Sequence, residues 1–439
     1  MKLLGPGRVI TRNNPCPFIE HGGVAYDGGT IVAVGSFDEL KAAYPQAELV
    51  SASGGTIMPA FINTHEHIYS AFARGLSLNN YNPQNFDDIL EGMWWRIDRA
   101  LTVEDSRWSA WAAYLDCIRN GVTTIFDHHA SYGGISGSLF AIGEVSEQLG
   151  LRSCLCFEVS DRNGEAAMRE AVAENEAFMK HAASRPALAG MMGYHAAFTL
   201  SDATLDFAKS RTLDGSGAHI HVAEGPNDQV RSLANHGKRI VPRLQEHGLL
   251  GKQSIAVHCI HVEESEMDLL AESGTMVVHN PESNMGNAVG CQPMQALFDK
   301  GILLGLGTDA YTHDMLESYK VANLIHKHQS GDPNAAWGAV PTMLFEHNAQ
   351  IAARYFPEEL GVLKPGAAAD IIVLDYDPPT PMNGSNLNGH ILFGMNGFNV
   401  NTTISAGRTL MQNRVILGID EAEIRAKCRT QAAALWAKV

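Results

Sequence analysis

The chain has 439 residues, 45% hydrophobic and 18% charged, enough apolar material for a large core or for two or three average domains. Acidic residues outnumber Lys and Arg by 48 to 32, and no basic run offsets the formal charge of −16, which argues against nucleic acid or an anionic membrane as a partner. No charge-free apolar run is long enough to span a bilayer, and the opening MKLLGPGRVITRNNP, broken at Gly5 and Pro6, does not read as a signal peptide. Seven cysteines without CxxC spacing fit a reducing, cytoplasmic compartment, with Cys154 and Cys156 as small core residues on one strand face.

Residues 1–58 alternate short β-like runs with glycine turns, as in GGVAYDGGTIVAVG. From 59 to 361 short apolar segments recur, each followed by a stretch of helical periodicity. They are AFINTH, TTIFDH (123–128), LRSCLCFEV (151–159), ALAGMMGYH (187–195), AHIHVAE (218–224), SIAVHC (254–259), TMVVHN (275–280) and ILLGLGTD (302–309). Eight such β-then-α units predict an α/β fold built on a parallel (β/α)8 barrel. Residues 362–439 return to β texture in GVLKPGAAADIIVLDYD and TTISAGRTLMQNRVIL, then end in a helix opened by acidic residues. The two flanking pieces, 1–58 and 362–439, are expected to pair into one small composite β-sandwich.

In MPAFINTHEHIYSAFARG, His65 and His67 stand one residue apart at a strand end. Strand alternation therefore puts both on one face, with Glu66 opposite. An isolated His-x-His is usually two ordinary histidines. Here, however, six of the eight predicted strands end in histidine and another ends in Asp309. Barrel enzymes place their reactive groups at these C-terminal strand ends, so the pattern predicts a cluster of metal ligands. Alternation leaves His219 and His221 in HIHVAE on one face, so either could ligate, and HCIH offers a similar choice between His258 and His261.

His-x-His after strand one, His after strands five and six, and Asp after strand eight resemble the metal-dependent amidohydrolase superfamily. Within it the chain is similar to the cytosine deaminase, chlorohydrolase and nucleoside deaminase branch. INTHEHIYSAFARG, FDHHAS, PESNMGNAVGC and TDAYTHDM resemble the SsnA group of aminohydrolases, which is associated with purine-degrading gene sets. The resemblance implies His65, His67, His221 and Asp309 as ligands of one divalent ion, Zn²⁺ first, with Fe²⁺ or Mn²⁺ as alternatives. It makes Glu224 the proton-transferring carboxylate and His258 the residue facing water and substrate. Asp309 then also orients the water. No lysine stands at the end of strand three or four, as dinuclear members require. Glu158 is the one group there that could bridge two ions.

Substrate contacts are expected from His195, which the branch uses this way, and from His128, Arg74 and Trp94 around the barrel mouth. Trp94 and Trp95 lie in the insertion 81–98, which reads as a covering helix that packs and offers a stacking surface. His129 and His313 are weaker rim candidates. The implied activity is a metal-dependent hydrolase of C–N bonds in a small purine-like heterocycle, releasing ammonia. Ring opening of a cyclic amide or amidine and hydrolytic dechlorination are alternatives, and a non-catalytic scaffold is a distant third. Homo-oligomers are common in such a family.

Overall fold

The computed structural model describes residues 1–439. The N-terminal strands β1 (Lys2–Ile10), β2 (Phe18–Asp27) and β3 (Thr30–Ser36) form an antiparallel meander. Strands β4 (Glu48–Val50) and β5 (Thr56–Pro59) both run parallel to β1.

One residue later the barrel begins. Its strands are β6 (Phe61–Glu66), β7 (Val122–His129), β8 (Arg152–Val159), β9 (Leu188–Gly190) with β10 (Met192–Ala196), β11 (Ala218–Val222), β12 (Ile255–His258), β13 (Met276–His279) and β14 (Leu304–Leu306). All their pairings are parallel, in chain order, which is the eight-unit barrel expected from the sequence. Every position of these strands is buried, as parallel strands covered on both faces require. The fourth unit, read as one run, is interrupted at Met191, so β9 pairs with β8 while β10 pairs with both β8 and β11.

Side chains close the barrel where the first and last strands meet. An isolated Glu66–Asp309 bridge joins β6 to the segment after β14, where Asn63 Nδ2 also donates to Thr308 Oγ1 (2.7 Å). The buried Asn348 amide spans the remaining gap, donating to the Ile62 and Leu306 carbonyls (2.8 Å each) and accepting from the Leu306 N–H (2.8 Å). One side chain thus satisfies backbone groups that a regular ladder would have paired. Gly307 allows the close approach, since a Cβ there would lie 2.5 Å from Asn280 Oδ1 and 2.8 Å from the His65 carbonyl.

After the barrel come β15 (Ile371–Leu374), β16 (Val400–Ser405), β17 (Arg408–Gln412) and β18 (Val415–Ile416). Strand β15 pairs antiparallel with β5, so both terminal segments merge into one continuous nine-stranded mixed sheet. Leu4, Val9, Val24 and Ile57 from the first segment share its core with Ile371, Val373 and Ile404 from the last. Asp370 ties this sheet to the barrel. It accepts from Arg152 Nη1 (2.6 Å), Thr123 Oγ1 (2.8 Å) and the Ala406 N–H (2.8 Å), and Arg152 and Asp370 are both buried. Asp370→Ala leaves the Arg152 charge with only the Glu358 carboxylate, 3.9 Å away. It is expected to cost about 3–5 kcal/mol, read as a lower denaturant midpoint than the parent protein. An unchanged midpoint would show that the junction is held by apolar packing alone.

The insertion after β6 forms helical turns from Phe86 to Ala100, started by Asn85, whose side chain accepts from the Asp88 N–H at 3.0 Å. Phe86 and Leu90 pack on Ile260 and Val289, with Trp94, Trp95 and Phe198 alongside, so this segment roofs the mouth of the barrel. The C-terminal helix Glu421–Trp436 lies on the helix Val103–Arg119 of the barrel, burying Cys428 and Leu435. No helix is long and apolar enough to cross a membrane. All seven cysteines are free, and Cys154 and Cys156 are buried in an apolar cluster of the barrel.

Candidate functional site

The alternation read from the sequence holds at the end of β6. The rings of His65 and His67 lie 4.9 Å apart, while Glu66 turns away to accept from Asn63 Nδ2 (2.7 Å) and to sit 2.6 Å from His313 Nδ1. His313 is therefore buried behind the site as the partner of Glu66. At the end of β7, His128 points toward the same rings (5.6 Å from His67), whereas His129 turns to Ser106 and Ser131.

Backbone carbonyls dictate the tautomers of two of these rings. His67 Nδ1 donates to the His128 carbonyl (2.6 Å), and His221 Nδ1 donates to the His195 carbonyl (2.7 Å). Each neutral ring then carries a lone pair at Nε2, and these two atoms face each other at 3.2 Å. Two converging lone pairs repel unless a cation sits between them. Their spacing is close to the roughly 3.3 Å edge expected of a tetrahedron with metal–nitrogen bonds of about 2.0–2.1 Å. Asp309 Oδ1 is 3.4 Å from His67 Nε2, and the fully buried His65 Nε2 has no hydrogen-bond partner. His65, His67 and Asp309 present ligand atoms within 4.8 Å of one another, as do His65, His221 and His258. Burial pushes the His65 and His221 rings well below the ordinary imidazole range, reinforced by neighbouring histidines, which keeps them neutral. The donor set and its buried, unpartnered nitrogen fit a divalent ion.

Geometry separates the histidines that alternation could not. His219 Nε2 hydrogen-bonds His65 Nδ1 (2.9 Å), gripping that ring from behind, so His221 is the member of HIHVAE that faces the cluster. His261 Nε2 donates to the Val289 carbonyl (2.8 Å), away from the cluster. His258 Nδ1 donates to Asn284 Oδ1 (2.8 Å) and its Nε2 lies 3.3 Å from Glu224 and 3.5 Å from Asp309. Burial, then the Asp309 and Asp228 carboxylates, push Glu224 well above the usual carboxylate range. His279 contacts His326 Nε2 (3.0 Å) and Asn284, shaping the loop after β13.

These strand ends carry unusual backbone. Ala223, His258, Cys259 and Asp309 adopt φ of +48°, +68°, +49° and +55°, in the left-handed region that non-glycine residues seldom occupy. Surrounding contacts hold it in place: the Asp309 N–H donates to the His65 carbonyl (3.0 Å), and the Cys259 N–H donates to the Val222 carbonyl (2.9 Å). Such strain concentrates where side chains must be aimed.

A cavity opens over His67, His221, Glu224 and Asp309. Of the four residues expected to contact substrate, His195 and Trp94 line it. His128 does not line it: its Nε2 donates to the Tyr194 carbonyl (3.0 Å), and one of its ring nitrogens lies within 4.8 Å of ligand atoms of His67 and His221. Arg74 lies outside, pairing with Asp116 (2.9 Å) beside a neighbouring cavity that includes His313. Glu158, weighed as a metal bridge, is instead committed to Arg162, which also binds Asp98 Oδ2 (2.5 Å). Burial, partly offset by Arg162, raises Asp98 to about 7. Asp98, Phe86 and Phe198, which the sequence did not single out, complete the wall with Glu158 and Trp95. The i, i+4 spacing of Glu158 and Arg162 was its one local trace.

Comparison with known proteins gives the relatives of the chain. A bacterial imidazolonepropionase-like composite domain matches residues 22–47. The 5-methylthioadenosine/S-adenosylhomocysteine deaminase of Pelotomaculum thermopropionicum is 27% identical over 98% of each chain. A 5′-deoxyadenosine deaminase of Methanopyrus kandleri is 29% identical, over 97% of this chain and 96% of its own. Among solved structures, an adenosine deaminase from Xanthomonas campestris with bound zinc superposes with a TM-score of 0.88 at 23% identity, over 99% of this chain and 98% of that one. The family description "Amidohydrolase family" matches residues 56–410, from β5 through every barrel strand into β17, and the chain belongs to that family.

Proposed function

We propose that this protein is a mononuclear metal-dependent aminohydrolase that removes an amino group from a purine-like heterocycle. The observation that carries the reading is the pair of facing His67 and His221 lone pairs, 3.2 Å apart and converging with Asp309, beside a buried Glu224. The similar deaminases, named for adenosine-like substrates, support purine over pyrimidine. His65, His67, His221 and Asp309 would hold the ion, for which three neutral nitrogens and a carboxylate suit Zn²⁺. Once bound, it supplies Lewis acidity that makes water nucleophilic near neutral pH.

The chain's own groups then handle the protons. His258, with Nδ1 donating to Asn284, offers a lone pair at Nε2 that accepts a hydrogen bond from the attacking water. Asp309, 3.5 Å from the same Nε2, accepts the water's proton as oxygen adds to the carbon bearing the amino group. Glu224 protonates the adjacent ring nitrogen and recovers a proton from the hydroxyl of the adduct, while the proton held by Asp309 passes to the departing amine. Ammonia leaves and the carbon becomes a carbonyl. His195, on the cavity wall with Nδ1 engaged by Thr199 (3.0 Å), orients the heterocycle.

The test is a panel of purines, pyrimidines and their nucleosides assayed with metal-reconstituted protein, recording ultraviolet absorbance and ammonia together. Ammonia equal to substrate loss is the expected result. Substrate loss without ammonia would replace deamination by ring opening. Protein that binds no transition metal after reconstitution would overturn the enzyme reading.

A further inference from the structure

We infer that His279 and His326 are positioning residues: with Asn284 they form a buried, one-way hydrogen-bond chain that keeps the His258 ring hydrogen on Nδ1 and leaves the Nε2 lone pair for the attacking water. This rests on the aminohydrolase reading and adds to it two residues that do not line the cavity.

The direction of the chain is set at its outer end. The half-buried Cys291 thiol donates to the Gln292 carbonyl (3.7 Å), which leaves its sulfur to accept from His326 Nδ1–H (3.6 Å). His326 then carries a bare Nε2, which accepts from His279 Nε2–H at 3.0 Å. His279 in turn has a bare Nδ1, which accepts from Asn284 Nδ2 (3.4 Å) and so turns Asn284 Oδ1 toward His258 Nδ1 (2.8 Å). Every donor points away from the reaction centre. Asn284 and His279 are 1% exposed and His326 is 7% exposed, so water offers these groups few other partners. Burial lowers His279 well below the ordinary imidazole range and His326 to about 4, so both rings stay neutral and keep one bare nitrogen each.

The His279–His326 pair differs from His67 and His221, whose Nε2 atoms also face each other, at 3.2 Å. Behind His67 and His221 both Nδ1 atoms donate to backbone carbonyls, so both Nε2 atoms are bare and call for a cation. His279 Nδ1 is an acceptor, so its Nε2 keeps the hydrogen and the contact is a hydrogen bond. The chain matters because the reaction centre pulls the other way. His258 Nε2 lies 3.5 Å from Asp309 Oδ2, an acceptor that favours a hydrogen on Nε2. A ring protonated there donates to Asp309 and has no lone pair for water. The same loop also holds the backbone of His258, since the Gln292 amide donates to the His258 carbonyl at a residue with φ of +68°.

The experiment compares the parent with His279→Leu, His326→Leu and His326→Gln, each reconstituted with zinc and checked for parental metal content. Leucine removes the acceptor, whereas glutamine puts an amide oxygen close to where Nε2 stands. His326→Asn, polar but too short to reach His279, replaces His326→Leu if leucine prevents folding. Long-range proton–nitrogen correlation spectra of protein carrying isotope-labelled histidine report the His258 tautomer, with that ring assigned by its loss in His258→Asn. The parent ring should carry its hydrogen on Nδ1, and the leucine variants should move it, wholly or in part, to Nε2. On the fastest purine of the panel the leucine variants should lose about 10–100-fold in kcat with KM within about threefold, and His326→Gln should stay within about threefold of the parent. A parent ring protonated on Nε2 would overturn the inference. So would leucine variants that keep either the parental tautomer or the parental kcat, or His326→Gln as slow as His326→Leu. If no purine releases ammonia, the aminohydrolase reading fails on its own, and the ring spectra still decide the chain.

Discussion

Glu224→Gln protein should retain its metal and lose about 10²–10⁴-fold in kcat, the range spanned by general acid–base catalysis. The carboxylate lies 3.3 Å from His258 Nε2 and is not one of the four proposed ligands. Burial and two neighbouring carboxylates already favour its protonated form, which a proton donor to a ring nitrogen must hold. The amide keeps the size and the hydrogen-bonding reach but cannot deliver a proton. The discriminating comparison is metal content by atomic emission against single-turnover rate. Metal-replete Glu224→Gln protein with near-parental turnover would remove Glu224 from the mechanism.

His221→Ala is expected to abolish tight metal binding, whereas His219→Gln should weaken it by only about 10–100-fold. The two residues share a strand face and differ in what their rings meet. His221 Nε2 faces His67 Nε2 at 3.2 Å, while His219 Nε2 supports the rear nitrogen of His65 at 2.9 Å. Competition against a chromogenic chelator measures both affinities. Because an ion bound only to the folded form raises stability, a chelator should lower the parent's melting temperature and leave that of His221→Ala unmoved. Parental affinity in His221→Ala, with loss in His219→Gln, would exchange the two roles.

The frame of this site was legible because period-two alternation and strand-end placement are local rules. They put His65 and His67 on one face, turned Glu66 away and brought His128 and His258 to strand ends. Where two residues two apart share a face, as at His219 and His221, the rule is silent. Only the tertiary contact with His65 separates them. Arg74 shows the opposite failure. A cation on a rim loop reads as a substrate contact, but Asp116, on a helix much later in the chain, pairs with it. Asp98 and Arg162 meet across 64 residues, so the wall they build with Glu158 left no local trace beyond the Glu158–Arg162 spacing. In the terminal segments texture was enough to predict pairing, and β5 with β15 supplies it as one continuous sheet.

That continuity orders events during synthesis. Pro59 pairs with Ile371, so the outer edge of β5 waits for its neighbour until the whole barrel has left the ribosome. Until then the first strands hold an open edge and an apolar face of Leu4, Val9, Val24 and Ile57 without the C-terminal half of their core. Pairings between such distant segments form slowly, and unpaired edges on neighbouring nascent chains can find one another first. Yield of this protein in a cell is therefore governed by how fast the last seventy or so residues follow the barrel out. Truncation at the C-terminus should act as an aggregation lesion long before it touches the metal-binding histidines.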